Sequence, residues 1–259
     1  MNKLLQTLML SILAVPAVAS AADASPHTFT ANAALVSNYL YRGISQTDNG
    51  AALQGGFDYS HASGFYAGVW GSNISWISGG GPATGSSSLE VDTYFGFKNS
   101  FADDFTYDVG FLRYNYPGNY TFPAASGLVK ADTNEIYGAL GWKWLTAKYS
   151  YSVGNTFGYP NAKGSSYIDL SANYPIADTG FAVQAHVGRQ TFKGFNTVAN
   201  TANSFASYSD YKLGVTKDVN GYVFGLAYSK TNANAAAYTG TTGQVWSKGT
   251  AVLSLTRSF

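Results

Sequence analysis

The chain has 259 residues, with 15 Lys and Arg against 14 Asp and Glu and no cysteine. That balance speaks against nucleic acid as a partner, because phosphates ask for clustered basic side chains. The missing thiols exclude disulfide frameworks and thiolate metal sites.

In chain order, the first element is a start of one positive charge at Lys3, an apolar run over 4–18, and the small-x-small box Ala19-Ser20-Ala21. This order reads as a secretory signal peptide over residues 1–21, cleaved after Ala21. The remainder, 22–259, is expected to be a single domain, and losing Lys3 leaves it with no net formal charge. Its composition then narrows the class. Charged residues are 11% and aromatics 16%, where an average soluble domain has about 25% charged residues. So few charges suit a surface facing lipid better than one facing water. No apolar run of about 20 residues follows Ala21, so no helix is expected to span a membrane. The spanning alternative is a closed barrel, since lipid cannot satisfy the backbone groups of an open sheet.

Strands with period two follow along the chain, each with one apolar and one polar or small face. The sequence predicts them at 28–42, 51–60, 65–74, 88–98, 105–114, 132–142, 146–155, 166–174, 181–189, 208–216, 222–229 and 247–259. The connections strictly alternate. Short ones occur at His61–Gly64, Asn99–Asp104, Lys143–Leu145, Pro175–Gly180 and Lys217–Gly221. Longer stretches rich in Gly, Ser and Asn lie between them, at Gly43–Gly50, Ser75–Ser87, Asn115–Ala131, Thr156–Ser165, Gln190–Ser207 and Lys230–Trp246. The expectation is an all-β, transmembrane, antiparallel up-and-down barrel of about twelve strands, with short periplasmic turns and longer external loops in a Gram-negative outer membrane. A water-soluble sandwich would need more outward charges than this chain has.

Aromatics crowd the strand ends. Phe29, Tyr59, Phe65, Phe101, Phe105, Trp142, Trp144, Tyr174, Phe181, Tyr222 and Phe259 fall on the proposed periplasmic side, and Tyr39, Tyr41, Trp76, Tyr114, Tyr116, Phe157, Tyr159, Tyr208, Tyr228 and Trp246 on the external side. They are expected to form two girdles at the lipid–water boundaries. The terminal Phe259, on an amphipathic last strand, reads as the signal for the outer-membrane barrel insertion machinery, although Arg257 stands where an apolar residue would be usual.

If the apolar faces meet outer-membrane lipid, the opposite faces line a lumen. The expected pore-lining residues are Arg42, Glu90, Asp92, Lys98, Glu135, Lys148, Asp169, Gln184, His186, Arg189, Asp210, Lys212 and Lys248. Both charge signs occur, which suits a narrow selective channel or a lumen filled with ion pairs. The three histidines, His27, His61 and His186, are framed by no Gly-x-Ser-x-Gly elbow. No His-rich metal motif or phosphate-cradling loop occurs either. The expectation is therefore no enzyme, no cofactor and no metal, and a porin-like channel passing small hydrophilic solutes or ions. The competing expectation is a non-conducting barrel whose external loops bind a ligand or partner. The sequence carries no signal of oligomeric state.

Three segments, Val36–Thr47, Ala52–Tyr59 and Gly64–Asn73, closely resemble the opening of the TorF-type porin family, proteobacterial outer-membrane proteins also called the Gcw_chp family. Glu90-Val91-Asp92 and Gly110–Gly118 are also similar to it. The resemblance is strongest over the first half of the mature chain. It implies an outer-membrane barrel with a pore and supplies no substrate.

Overall fold

The computed structural model describes residues 25–259, so the expected signal peptide lies outside the described residues. Twelve antiparallel strands close on themselves: β1 (His27–Val36), β2 (Ala52–His61), β3 (Phe65–Asn73), β4 (Leu89–Ala102), β5 (Phe105–Asn115), β6 (Thr133–Trp142), β7 (Leu145–Ser152), β8 (Ser166–Ile176), β9 (Phe181–Thr191), β10 (Tyr208–Val219), β11 (Tyr222–Thr231) and β12 (Thr250–Ser258). Each strand pairs with its chain neighbours. The seam joins β1 to β12, in register from Asn32 opposite Ser258 to Val36 opposite Ser254. Closure leaves no unpaired edge, which is the condition for standing in hydrocarbon.

The alternation seen in the sequence is the wall itself. Leu53, Phe95, Leu140, Leu170, Leu213 and Leu253 face outward and are exposed. Their neighbours point inward, so a continuous apolar belt surrounds a polar interior. Short turns close one end. Three of them are two residues long, and in one, Asn220-Gly221, the φ angles are 55° and 79°, both left-handed as a two-residue hairpin matched to strand twist requires.

The observed strands differ from the predicted ones mainly at β1, which stops at Val36 rather than running to residue 42, at β4, which runs to Ala102 rather than ending at 98 and takes up most of the predicted turn Asn99–Asp104, and at β12, which starts at Thr250 rather than at 247. Six longer connections, L1 to L6, close the other end: 37–51, 74–88, 116–132, 153–165, 192–207 and 232–249. They hold one another. A two-stranded ribbon pairs Thr84–Ser86 of L2 with Asn119–Thr121 of L3. Asp48 of L1 accepts hydrogen bonds from Trp246 Nε1 at 2.7 Å and Thr242 Oγ1 at 2.8 Å in L6. Asn203 of L5 donates to the Pro160 carbonyl of L4 at 2.8 Å.

The aromatic girdle is present at the short-turn end, where Phe29, Phe65, Phe101, Phe105, Trp142, Tyr174, Phe181, Tyr222 and Phe259 are all exposed. Of the second expected girdle only Tyr228 is exposed. Tyr39, Tyr114, Tyr116, Tyr208 and Trp246 are buried and belong to two apolar clusters at the loop end. Rings at that end are spent on packing the loops over the lumen rather than on the lipid boundary.

Candidate functional site

L1 is the element that shapes the lumen. After Val36 the chain leaves the wall and makes a small hairpin, Leu40-Tyr41 against Ile44-Ser45, that turns at Arg42 and Gly43. Both turn residues are left-handed, with φ of 48° and 79°. Only glycine fits at the second position. A Cβ on Gly43 would lie 2.7 Å from Thr231 Cγ2 and 2.9 Å from Asp210 Cβ, so the hairpin tip sits hard against β10 and β11.

The side chains of L1 reach the rest of the wall. Tyr39 donates to Glu90 Oε1 of β4 at 3.0 Å, and Tyr41 donates to the Tyr114 hydroxyl of β5 at 2.7 Å. Arg42 makes a two-pronged contact with Glu135 of β6, Nη1 to Oε1 at 3.1 Å and Nη2 to Oε2 at 2.7 Å. Its Nη1 also donates to Gln190 Oε1 of β9 at 2.6 Å. The guanidinium carbon lies 4.3 Å from the centre of the Tyr167 ring and 4.8 Å from that of Tyr41. The Arg42 and Glu135 side chains are 7% and 1% exposed. An ion pair so buried repays its desolvation only through good geometry and satisfied hydrogen bonds, and the fork, the amide and the ring faces supply them.

Beneath L1 lies a cavity of about 360 Å³. One side is walled by small side chains, among them Ala34, Ala227, Ser229, Val252 and Ser254. The other carries Asp92, Lys148, Asp169, His186, Asp210 and Lys212, with Arg42 in the roof. His186 is clamped between two carboxylates, Nδ1 to Asp169 and Nε2 to Asp210, each at 2.7 Å. The Tyr167 hydroxyl adds a bond to Asp210 at 3.0 Å, and Ser171 Oγ donates to Asp169 at 2.7 Å. Ser171 Oγ also lies 3.1 Å from His186 Nδ1. This grouping of Ser, His and Asp does not make a nucleophile. Carboxylates only accept hydrogen bonds, so both ring nitrogens serve as donors and neither is left to take a proton from Ser171.

The remaining lumen, along β2 to β6, is filled by tyrosines. Tyr94 donates to Asp58 at 2.6 Å, Tyr66 donates to Asp108 at 2.6 Å, and Tyr66 and Tyr137 share a hydroxyl contact. The rings lie over cross-strand glycines: a Cβ on Gly110 would come within 2.6 Å of Tyr137 Cζ.

The structure places the sequence-predicted lumen residues as follows. Glu90, Asp92, Glu135 and Asp210 are buried on inward positions, and Lys148, Asp169, Gln184, His186 and Lys212 are half-buried and border the cavity or its walls. Lys98 is inward near the turns but exposed, 5.2 Å from the Tyr66 ring centre. Arg42 enters the lumen from L1, not from a strand. Two residues are corrections. Arg189 occupies an outward position of β9 between inward Gly188 and Gln190 and donates to Ser209 Oγ at 3.3 Å. Lys248 is exposed in L6, before β12 begins. Tyr167, Gln190, Asp58 and Asp108 were not singled out from the sequence. The two aspartates carried a usable signal, because both alternate with apolar neighbours.

Comparison with known proteins gives one family and one fold. The family model described as "Bacterial protein of unknown function (Gcw_chp)" matches residues 20–259. No curated protein matches the chain. Among solved structures, the NanC porin aligns with a TM-score of 0.51 at 11% identity, over 88% of this chain and 98% of that one. Acinetobacter baumannii OccAB3 aligns with a TM-score of 0.43 at 10% identity, over 92% of this chain and 65% of that longer one. At 11% identity the likeness to the NanC porin is one of fold, a closed antiparallel barrel.

Proposed function

The chain belongs to the Gcw_chp family, and from that premise we propose that it is a porin-like channel of the bacterial outer membrane for passive passage of small hydrophilic solutes or ions. One observation carries the reading: a closed barrel with an apolar exterior encloses a cavity bordered by Arg42, Asp92, Lys148, Asp169, His186, Asp210 and Lys212. Burying this many charges inside a wall is costly unless the interior is wet or its charges are paired, and a water-filled lumen of mixed charge is what a selective pore requires. The TorF-type resemblance, export by residues 1–21, periplasmic turns and external loops belong to the same reading. So does recognition of Phe259 by the insertion machinery. L1 is then the constriction, as the segment that narrows the lumen at the loop end, where it meets Glu135, Gln190 and Asp210.

The interlocked loop end favours a second reading, a non-conducting barrel whose loops bind a ligand. Single-channel recording of the refolded protein in a planar bilayer separates the two. Steady conductance steps support the channel. Silence from correctly folded protein overturns it and favours the loops.

A further inference from the structure

Outside the lumen, the loop end carries charges mostly of one sign. Among the described residues the acids there are Asp48 and Asp132, and both are engaged. Asp48 holds Trp246 and Thr242, while Asp132 holds Arg113 at 3.3 Å and the Tyr116 N–H at 2.9 Å. Lys130 is spent as well, its Nζ donating to the Gly118 carbonyl at 3.2 Å. Five further cations, Lys163, Arg189, Lys193, Lys230 and Lys248, are exposed, and none of them makes an ion pair among the described residues. The inward acids of the same wall, Asp169 and Asp210, are held by His186.

The five form one arc. Lys163 lies in L4 before β8, Arg189 on β9, Lys193 in L5, Lys230 on β11 and Lys248 in L6 before β12, so all stand over the consecutive strands β8 to β12. Local contacts link them. The Lys193 N–H donates to Ser165 Oγ at 3.0 Å, two residues from Lys163. Arg189 reaches Ser209 Oγ at 3.3 Å, and the Ser209 N–H donates to Asn232 Oδ1 at 2.7 Å, two residues from Lys230. A Cβ on Gly249, beside Lys248, would lie 3.7 Å from Lys230 Cγ. Arg189 and Lys230 are two strands apart, about 10 Å, close to the Debye length of about 8 Å in physiological salt. Neighbouring charges therefore repel, with no acid between them.

The arc also caps the apolar belt. Arg189 follows Val187 on the outward face of β9, and Lys230 follows Tyr228 on that of β11, with outward Tyr211 of β10 opposite Lys230. Val187, Tyr228 and Tyr211 are all exposed, so these columns change from apolar to cationic where the wall ends. The turn end differs: Lys143 faces Asp104 at 3.6 Å, and Lys217 and Arg257 donate to the carbonyls of Thr179 and Asn220.

Resting on the external placement of the loops, we propose that this arc binds the phosphate groups of anionic glycolipids in the outer leaflet. Phosphate oxygens accept charge-assisted hydrogen bonds from the ammonium and guanidinium groups, and the acyl chains cover the apolar columns below. A soluble polyanion matches the charges but leaves those columns bare. A zwitterionic headgroup brings a cation of its own into the arc.

The test measures binding of the refolded full-length barrel to detergent micelles carrying diphosphoryl lipid A, monophosphoryl lipid A or phosphatidylcholine. Diphosphoryl lipid A should bind tightest and phosphatidylcholine weakest, with affinity falling as salt rises. At about fivefold per cation, Arg189→Gln with Lys193→Gln and Lys230→Gln should weaken diphosphoryl lipid A about a hundredfold. Lys143→Gln with Lys217→Gln removes charge at the turn end and should change it little. Equal binding of the three lipids, or equal losses in the two sets of variants, overturns the arc and leaves the channel standing. Inorganic polyphosphate that displaces the lipid at equal phosphate concentration overturns it too, as a site for soluble polyanions. The placement is tested separately. Because the chain has no cysteine, Lys193→Cys gives a single thiol that a membrane-impermeant maleimide should label on intact cells, and absence of labelling overturns the external placement itself.

Discussion

Arg42 and Glu135 meet across the lumen although 93 residues separate them, joined through both prongs of the guanidinium at 3.1 and 2.7 Å. The pair ties the tip of L1 to β6 and so fixes how far the loop intrudes. Removing one partner leaves the other buried and uncompensated, which costs about 3–5 kcal/mol. Arg42→Ala is therefore expected to lower the urea midpoint of the refolded barrel and to raise single-channel conductance, because the guanidinium leaves the constriction. Arg42→Ala combined with Glu135→Ala should lose less stability than the two single changes added together. An unchanged conductance in Arg42→Ala would show that L1 does not set the narrowest point.

Gly43 tests the same loop through its backbone. Alanine there must adopt φ near 79° with a Cβ 2.7 Å from Thr231 Cγ2 and 2.9 Å from Asp210 Cβ. The left-handed conformation alone costs on the order of 1–3 kcal/mol, and the crowding pushes the tip away from β10 and β11. Gly43→Ala should thus destabilise the barrel in urea titration and widen the distribution of conductance levels. Gly138→Ala is the control, since nothing lies within 4 Å of a Cβ there, and it should leave both readouts unchanged.

These two residues also show what the sequence conveyed and what it did not. Period-two alternation located all twelve strands, because a wall between lipid and lumen leaves each residue only one tolerable face. It failed at Val36 to Arg42, where Leu40 and Tyr41 extend the apolar pattern although the chain has left the wall. What turns L1 inward is contact with β4, β5, β6 and β9, and no local pattern encodes that. The loop-end rings were misread for a related reason: strand-end position is the same for a ring facing lipid and one folded under a loop. Arg189 was legible. It lies three residues after inward-facing His186, an odd spacing, and period two therefore points it outward.

The outward belt makes its own prediction. Leu213 is 63% exposed on β10, opposite Ala185 of β9 and Tyr228 of β11. An arginine near the bilayer midplane costs about 2–4 kcal/mol, falling to roughly 0–1 near the interfaces. Leu213→Arg should lower stability in lipid bilayers by the larger figure, measured by urea unfolding in large vesicles. Arg189→Leu, on the outward face near the loop end, should change it little. Equal, small effects at both positions would mean that the belt does not face hydrocarbon.

Phe259 combines two roles that can be taken apart. Its backbone closes the seam: its N–H donates to the Ala31 carbonyl at 2.8 Å, and its own carbonyl accepts from Ala31 N–H at 3.0 Å. Its ring makes a different contribution, because it is 72% exposed and packs little against the barrel. Deleting the residue removes both backbone bonds, a loss of about 1–3 kcal/mol at the usual net value per bond. Phe259→Ala keeps those bonds and removes only the ring. If the ring is the signal read during assembly, Phe259→Ala should refold in detergent with wild-type yield and stability. In cells it should give a smaller heat-modifiable fraction in the outer membrane, while the deletion should be impaired in both settings. Normal cellular assembly of Phe259→Ala would assign the residue to the seam alone.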